Sequence, residues 1–238
     1  MNDYLDNTAE LVLNLNPESL VKKTYRKFHK TRKYSYRTFK RFVDICAGLV
    51  GCLILIPLTI FVKVISILNG DFDSIFFKQK RIGKNGKTFN MYKFRSMIPN
   101  ADEVLKQYLK ENKEAAKEYK KWKKLKNDPR ITKIGKFLRK TSLDEVPQFI
   151  NLLKGDMSLI GNRPYLPREI EDMGESYHYI ILTRPGLTGL WQCTLRSNAT
   201  FEERLKLESY YSTHVYPSVD FKILIKTVKT VIKKAGAI

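Results

Sequence analysis

The 238-residue chain is poor in the residues that build several common kinds of site. It has three Cys and three His. None of the cysteines (Cys46, Cys52, Cys193) forms a C-x-x-C pair, so a disulfide scaffold and an ordinary zinc site are excluded. His29, His178 and His214 have no metal-ligand spacing. Acid is scarce as well: 24 Asp+Glu face 44 Lys+Arg, a formal net charge of +20. The sequence has no internal repeat and no low-complexity tract. Apolar residues at 43% and aromatics at 12% exclude a wholly disordered chain. The length suits one substantial core.

The charge is unevenly spread. Residues 22–41 hold ten Lys/Arg and no acid; residues 74–101 hold seven and no acid. A polyanionic partner is implied: anionic lipid, nucleic acid or a phosphorylated substrate. Between the two blocks lies residues 45–62, ICAGLVGCLILIPLTIFV, without a single charge. A spanning helix needs roughly 20 apolar residues, so this run is at the short end. It starts too far into the chain for a cleavable signal. Pro57 sits inside it, where a missing N–H and a ring clash bend a helix. Both flanks are basic, and basic flanks stay on the cytoplasmic side. A helix bent at Pro57 that enters and leaves on one face satisfies both observations. A single-pass helix and a buried core helix are the alternatives.

Elsewhere the first 20 residues, with four acids and no Lys/Arg, read as a mobile tail. Aromatics (Tyr25, Phe28, Tyr34, Tyr36, Phe39) interleave the first basic block, which suits an interfacial anchor on anionic phospholipid better than a nucleic-acid arm. Residues 75–82 and 88–97 read as strands around the Asn85-Gly86 turn. Residues 101–126 read as one exposed charged helix, and about 143–153 as a second. Phe221, Leu224, Ile225, Val228 and Ile232 recur at helical spacing, with Lys222, Lys226, Lys229 and Lys233 largely on other faces. That is a basic amphipathic helix suited to a lipid surface or to docking on a core.

The chemistry concentrates in Arg139-Lys-Thr-Ser-Leu-Asp-Glu-Val-Pro-Gln148. Thr141 and Ser142 precede Asp144 and Glu145 by three residues, a capping-box pattern that puts two adjacent carboxylates in the first turn of a helix. Complementing the helix dipole is the plain alternative. Arg139 and Lys140 before the pair, Asp156 after the helix and Arg163 in a Gly-Asn-Arg-Pro loop suit a divalent metal and a diphosphate. A carboxylate can also attack phosphorus and form an acyl phosphate.

The stretches KRFVDICAGLVGCLILIPL, RIGKNGKTFNMYKFRSM, DPRITKIGKFLRKTSLDEVPQFINLLKGDMSLIGNRP, TRPGLTGLWQ and TFEERLKLESYY together resemble the bacterial monotopic phosphoglycosyl transferases, over about residues 38–236. The resemblance implies an α+β, mainly helical fold with a Pro-bent re-entrant helix over about 39–68, a small β-hairpin and surface amphipathic helices. It divides the chain into a tail and basic interfacial segment, 1–37, and a transferase domain, 38–238. A short form is expected, without the four-helix membrane domain of larger relatives. The implied reaction is Mg²⁺-dependent and ping-pong. Asp144 attacks the sugar-bearing phosphorus of a UDP-sugar and releases UMP, and polyprenyl (undecaprenyl) phosphate takes the phosphosugar. Such a step opens exopolysaccharide, capsule or glycoconjugate assembly. Glu145 and Asp156 are implied at Mg²⁺, and Lys93, Arg139, Arg163 and Gln192 at phosphate or substrate. The implied location is the cytoplasmic face of the bacterial plasma membrane, with both termini cytoplasmic. No nucleic-acid partner is expected, and a homo-oligomer is left open. The chain has Asn162 where the family has Pro, Ile56 where it often has Ser, and Cys193-Thr-Leu-Arg196 where it often has V-x-G-R. A polybasic, membrane-tethered binding protein without catalysis is the reading from another class.

Overall fold

The computed structural model describes residues 3–14, 32–122, 125–195 and 199–232. Residues 22–31 of the first basic block, with Tyr25, Phe28 and His29, lie outside the described residues, as do Arg196 and Lys233. The fold is mainly helical with two small sheets.

Helix α1 (Asp3–Asn14) comes first. The mobile-tail expectation is corrected for residues 3–14, the part of the first 20 that is described. Leu5, Ala9 and Val12 recur along one face, and each is at most 2% exposed. They join Leu207, Tyr211 and Ile223 in the largest core cluster. That stripe is short and sits in an acidic stretch, so its charges masked it.

Helix α2 (Arg32–Leu68) carries the apolar run. It is one continuous helix with Pro57 inside. Its buried positions, Asp44, Gly48, Gly51, Leu55, Val62 and Ser66, fall on one helical face. The opposite face is open: Leu49, Leu53, Ile56, Ile60 and Leu68 are all more than half exposed. No soluble core helix leaves so much hydrocarbon uncovered.

Strands β1 (Phe76–Ile82) and β2 (Thr88–Phe94) pair antiparallel, with Phe76 opposite Phe94 and Ile82 opposite Thr88. The turn between them places Asn85 at φ 58° and Gly86 at φ 76°. Two successive residues in the left-handed region is what an Asn-Gly pair tolerates best. The single charged helix expected over 101–126 is two helices, α3 (Ala101–Glu111) and α4 (Lys113–Trp122). Asn112 divides them, its Oδ1 accepting the Ala115 N–H at 3.0 Å.

Next come α5 (Lys133–Lys140), a single 3₁₀ turn (Leu143–Glu145) and α6 (Gln148–Lys154). Strand β3 (Ser158–Ile160) pairs in parallel with β4 (Gly186–Thr188). Short helices α7 (Ile170–Met173), α8 (Ser176–Ile180) and α9 (Leu190–Cys193) separate these from α10 (Phe201–Thr213) and α11 (Pro217–Ile232). Thr200 and Glu203 cap α10 reciprocally. Helix α11 does not present all its apolar residues on one free face. Ile223 is buried in the core, while Phe221 and Val228 remain 62% and 50% exposed. Two of its lysines turn to α1: Lys226 pairs with Asp6, and Lys222 Nζ lies 3.3 Å from the centre of the Tyr4 ring.

Helix α2 is seated on α6 and β3. Arg41 donates to the Leu152 and Leu153 carbonyls at 2.5 and 2.8 Å, closing the C-terminal end of α6. Asp44 Oδ1 accepts from Ser158 Oγ at 3.0 Å and from the Leu159 N–H at 2.7 Å. Asp220 of α11 accepts from Tyr36, Lys40 and Tyr211, tying the start of α2 to two further helices. Gly48 and Gly51 face Leu153 and Phe149. A Cβ at Gly51 would lie 2.0 Å from Phe149 Cγ. We therefore expect Gly51→Ala to force the two helices apart at a cost of about 1–3 kcal/mol. Thermal melts in detergent check this. Restoration by Phe149→Leu in the same chain is expected, because the smaller side chain frees the space.

Candidate active site

The Asp144–Glu145 pair is held by a 3₁₀ turn rather than by a capped helix start. Ser142, just before it, sits at φ 58° and makes no capping hydrogen bond. Thr141 Oγ1 donates instead to the Phe137 and Leu138 carbonyls at the end of α5. The capping-box expectation is therefore corrected. Pro147 is the reason: it fits the turn before α6, so the helix begins only at Gln148.

The turn lies against β2, which supplies Lys93. Lys93 Nζ donates to Glu145 Oε1 at 2.7 Å and lies 3.8 Å from Asp144 Oδ2. Asp144 is 7% exposed, whereas the Glu145 side chain keeps 41% of its surface open. Burial pushes the Asp144 carboxyl above the usual carboxylate range, and its neighbour Glu145 adds to that; Lys93 and Arg139 work against it. Glu145 is also partly desolvated, but the Lys93 ammonium and hydrogen bond hold its carboxyl below the usual range. Adjacent carboxylates thus stand in unlike states. Glu145 is committed to a cation. Asp144 pairs with that cation by charge alone, beyond hydrogen-bond reach.

Asn151, fully buried on α6, sets this geometry. Its Oδ1 accepts the Tyr92 N–H at 3.0 Å and its Nδ2 donates to the Asn90 carbonyl at 2.8 Å. Both bonds lie just before Lys93 in sequence and fix β2 to α6. Nothing in the sequence reading singled out Asn151. Its one signal is an amide at a position where α6 otherwise turns apolar residues inward.

The other expected site residues are spread more widely. Arg139 lies at the end of α5, near enough to Asp144 and Glu145 to feel both charges, and its Nε donates to Ser96 Oγ at 2.9 Å. Arg163 follows β3, and its charge helps to lower the Glu145 carboxyl. Asp156 is at the far end of α6 from the pair, where it accepts from Asn151 Nδ2 at 3.1 Å. Gln192 is on α9, its Nε2 donating to the Leu187 carbonyl at 3.2 Å and its Oε1 buried without a partner. Neither Asp156 nor Gln192 is brought into contact with the pair. Pro57 is on the exposed side of α2. Asn162 replaces the rigidity of a proline by anchorage: its Nδ2 donates to Ser212 Oγ at 2.6 Å and reaches Thr183 Oγ1 and the Ile180 carbonyl at 3.3 Å. Cys193, of the third departure, is buried at 3% exposure.

The chemistry of these donors fits a divalent cation. Mg²⁺ usually takes one or two carboxylates and completes its shell with water and substrate phosphate. The half-open Glu145 beside Asp144 offers that set. Among the described residues no group of three or more His, Cys, Asp or Glu forms a complete protein cage.

A buried acid turn beside Lys93 thus sits on the same body as a long, exposed apolar helix. The profile of the bacterial sugar transferase family matches residues 35–234, and the chain belongs to that family. It is 42% identical over 207 residues to the undecaprenyl-phosphate galactose phosphotransferase of Salmonella typhimurium, covering 86% of this chain and 43% of that protein. It is 43% identical over 209 residues to the galactosyl transferase CpsE of Streptococcus agalactiae, covering 87% and 45%. With the exopolysaccharide production protein ExoY of Sinorhizobium fredii the identity is 37% over 199 residues, covering 83% and 87%. The chain thus spans less than half the length of the first two. Helix α1 lies outside the family-matched residues.

The site predicts a structural phenotype for Asn151. Asn151→Leu leaves the Tyr92 N–H and the Asn90 carbonyl without partners. We expect a loss of about 2–3 kcal/mol, since each buried unsatisfied group costs roughly 1–3 kcal/mol. Thermal or denaturant unfolding of the full chain checks it.

Proposed function

We propose that this chain transfers a sugar-1-phosphate from a UDP-sugar to a polyprenyl phosphate at the cytoplasmic face of the plasma membrane. The observation that carries the reading is the division of labour in the acidic pair: Lys93 is bonded to Glu145 at 2.7 Å and leaves Asp144 unbonded at 3.8 Å.

In this reading an Asp144 carboxylate oxygen attacks the sugar-bearing phosphorus. The bond from that phosphorus to the bridging oxygen breaks, and UMP leaves with the electron pair. The phosphosugar stays on Asp144 as an acyl phosphate. A phosphate oxygen of the polyprenyl carrier then attacks the same phosphorus. The Asp144 carboxylate departs, and polyprenyl-diphosphate-sugar forms. Lys93, with Arg139 and Arg163 around it, offsets the charge of a diphosphate beside two carboxylates. Burial helps the first step, because a poorly solvated carboxylate sheds little water before it attacks. Mg²⁺, held by Glu145 when bound, supplies further neutralisation of phosphate charge. Relatives named for galactose phosphotransfer support the substrate class; the sugar itself stays open.

The membrane placement is part of the same proposal. The seat of α2 on the body includes Arg41, Asp44, Gly48 and Gly51 before Pro57, and Leu58 and Val62 after it. A helix crossing the bilayer upright could not keep both halves on one extramembrane body. Its exposed apolar face, lying in one leaflet, brings the site to the headgroup layer, where the carrier's phosphate resides. Basic residues beside it favour anionic phospholipid.

Two predictions test this. Asp144→Asn is expected to abolish both UMP release and the covalent phosphosugar, measured across a panel of UDP-sugars with undecaprenyl phosphate. Loss through misfolding is distinguishable. Burial raises the Asp144 carboxyl, so its ionised form strains the fold, and its contribution to stability is lost as pH rises through that raised value. The amide variant should therefore melt no lower than wild type at pH 7, with any advantage shrinking as pH falls. An active variant with a normal adduct would take Asp144 out of the reaction. Secondly, cysteines placed singly at Tyr36 and Asn69 in a chain otherwise free of cysteine are expected to be labelled from the cytoplasmic side only. Labelling of the Asn69 position from outside the cell would overturn the re-entrant placement.

A further inference from the structure

The segment 161–165 joins β3 to the site and carries Arg163. Its backbone is gripped from two sides. On one side, Arg81 Nη1 donates to the Pro164 carbonyl at 2.9 Å, and the Ile82 N–H donates to the Tyr165 carbonyl at 2.8 Å. On the other, one face of α10 takes hold. The Tyr165 ring meets Phe201 edge-on at 6.0 Å between centroids. Asn162 bonds Ser212, as described above. Between these two contacts, the Arg163 N–H donates to Glu208 Oε1 at 2.6 Å. Phe201, Glu208 and Ser212 share a helix face by their spacing.

Glu208 is an expensive choice at that position. It is 1% exposed. Burial raises its carboxyl to about 7, against the nearby Tyr165, Arg204 and Arg163. Arg204, 4% exposed, is itself occupied by the face of Trp191, 4.4 Å from the ring centre. An apolar side chain would pack α10 at lower cost. What the carboxylate adds is an acceptor for two groups of the segment, the Arg163 amide and the Tyr165 hydroxyl. Holding this N–H fixes the backbone from which the Arg163 side chain springs. That side chain is the one cation of the segment whose charge reaches Glu145. Its Nε is buried and has no hydrogen-bond partner. Fixing the main chain at Arg163 narrows the positions its guanidinium can take, which preorganises it for an anion.

We propose that Glu208 is a positioning residue: it clamps the Arg163 amide and so presents the Arg163 guanidinium to a phosphate of the nucleotide-diphosphate substrate beside Asp144 and Glu145. The inference rests on the transferase reading above. Glu208 touches no reacting atom and acts through Arg163.

The test uses full-length chain in detergent and whichever of UDP-galactose, UDP-glucose and the UDP-N-acetylhexosamines gives the fastest UMP release. Glu208→Gln keeps an acceptor oxygen and is expected to stay within about threefold of wild-type kcat/KM. Glu208→Met keeps the length, removes the acceptor and should lower kcat/KM about tenfold or more, the scale of one lost charge-assisted hydrogen bond. In an Arg163→Met background the same Glu208→Met change should cost less than twofold, because its effect passes through Arg163. A Gln variant as poor as the Met variant, or a full tenfold loss in the Arg163→Met background, would overturn the clamp. Should Glu208→Met fail to fold, hydrogen exchange decides on folded proteins. The Arg163 amide is expected to be protected in wild type and Glu208→Gln, and exchange at the rate of an open loop in both would refute the proposal. A wild-type chain that releases no UMP from any donor sinks the functional reading, and the exchange measurement then still judges the clamp by itself.

Discussion

Two carboxylates next to each other in sequence repel, and hiding one of them from water raises the cost further. The ammonium of Lys93 makes the arrangement tenable. It is bonded to the more open member and only near the buried one, so a single cation steadies the pair while leaving one carboxylate without a bond to it. Everything else at the site serves that placement. Asn151 fastens the lysine's strand to the helix behind the acidic turn. Pro147 delays the start of that helix, so the pair projects from a tight turn rather than from a regular first turn. The arginines then oppose the charge of the pair from the ends of α5 and β3.

The long apolar helix is both a structural beam and a hydrocarbon surface. One stripe of small and polar residues fits it to the body; the other stripe is left uncovered. These requirements conflict in a soluble protein, where so large an exposed apolar face would drive aggregation. They agree at a bilayer. The same logic explains Asp44 and Arg41, charged residues close to the apolar run. Each is bonded to groups of the neighbouring elements, so neither brings a free charge to the uncovered stripe.

Much of this was legible from the residues. The apolar run, the hairpin at Asn85-Gly86 and the acidic pair each announce themselves through a local pattern, and the family resemblance rests on several such patterns in order. Three features were not legible. The docking of α1 depends on apolar residues spaced among acids, a signal too short to stand out. The break at Asn112 depends on one side chain choosing to cap, which competes with helix propensity on nearly equal terms. The clamp on Lys93 depends on Asn151 meeting a strand some 60 residues earlier, and a contact of that kind leaves no trace in spacing. The cap expected at Ser142 went wrong for the opposite reason. The local pattern was present, but the proline that follows overrode it.

Seating α2 on Gly48 and Gly51 has a mechanical result. The Phe149 ring and the Leu153 side chain rest directly on the two glycines, so neither helix can roll against the other without driving a ring or a methyl group into the main chain. The bearing of the uncovered stripe relative to the acidic turn is therefore set by the fold, as a keel is set to a hull. Whatever depth and tilt the hydrocarbon stripe adopts, the buried Asp144 carboxyl inherits them.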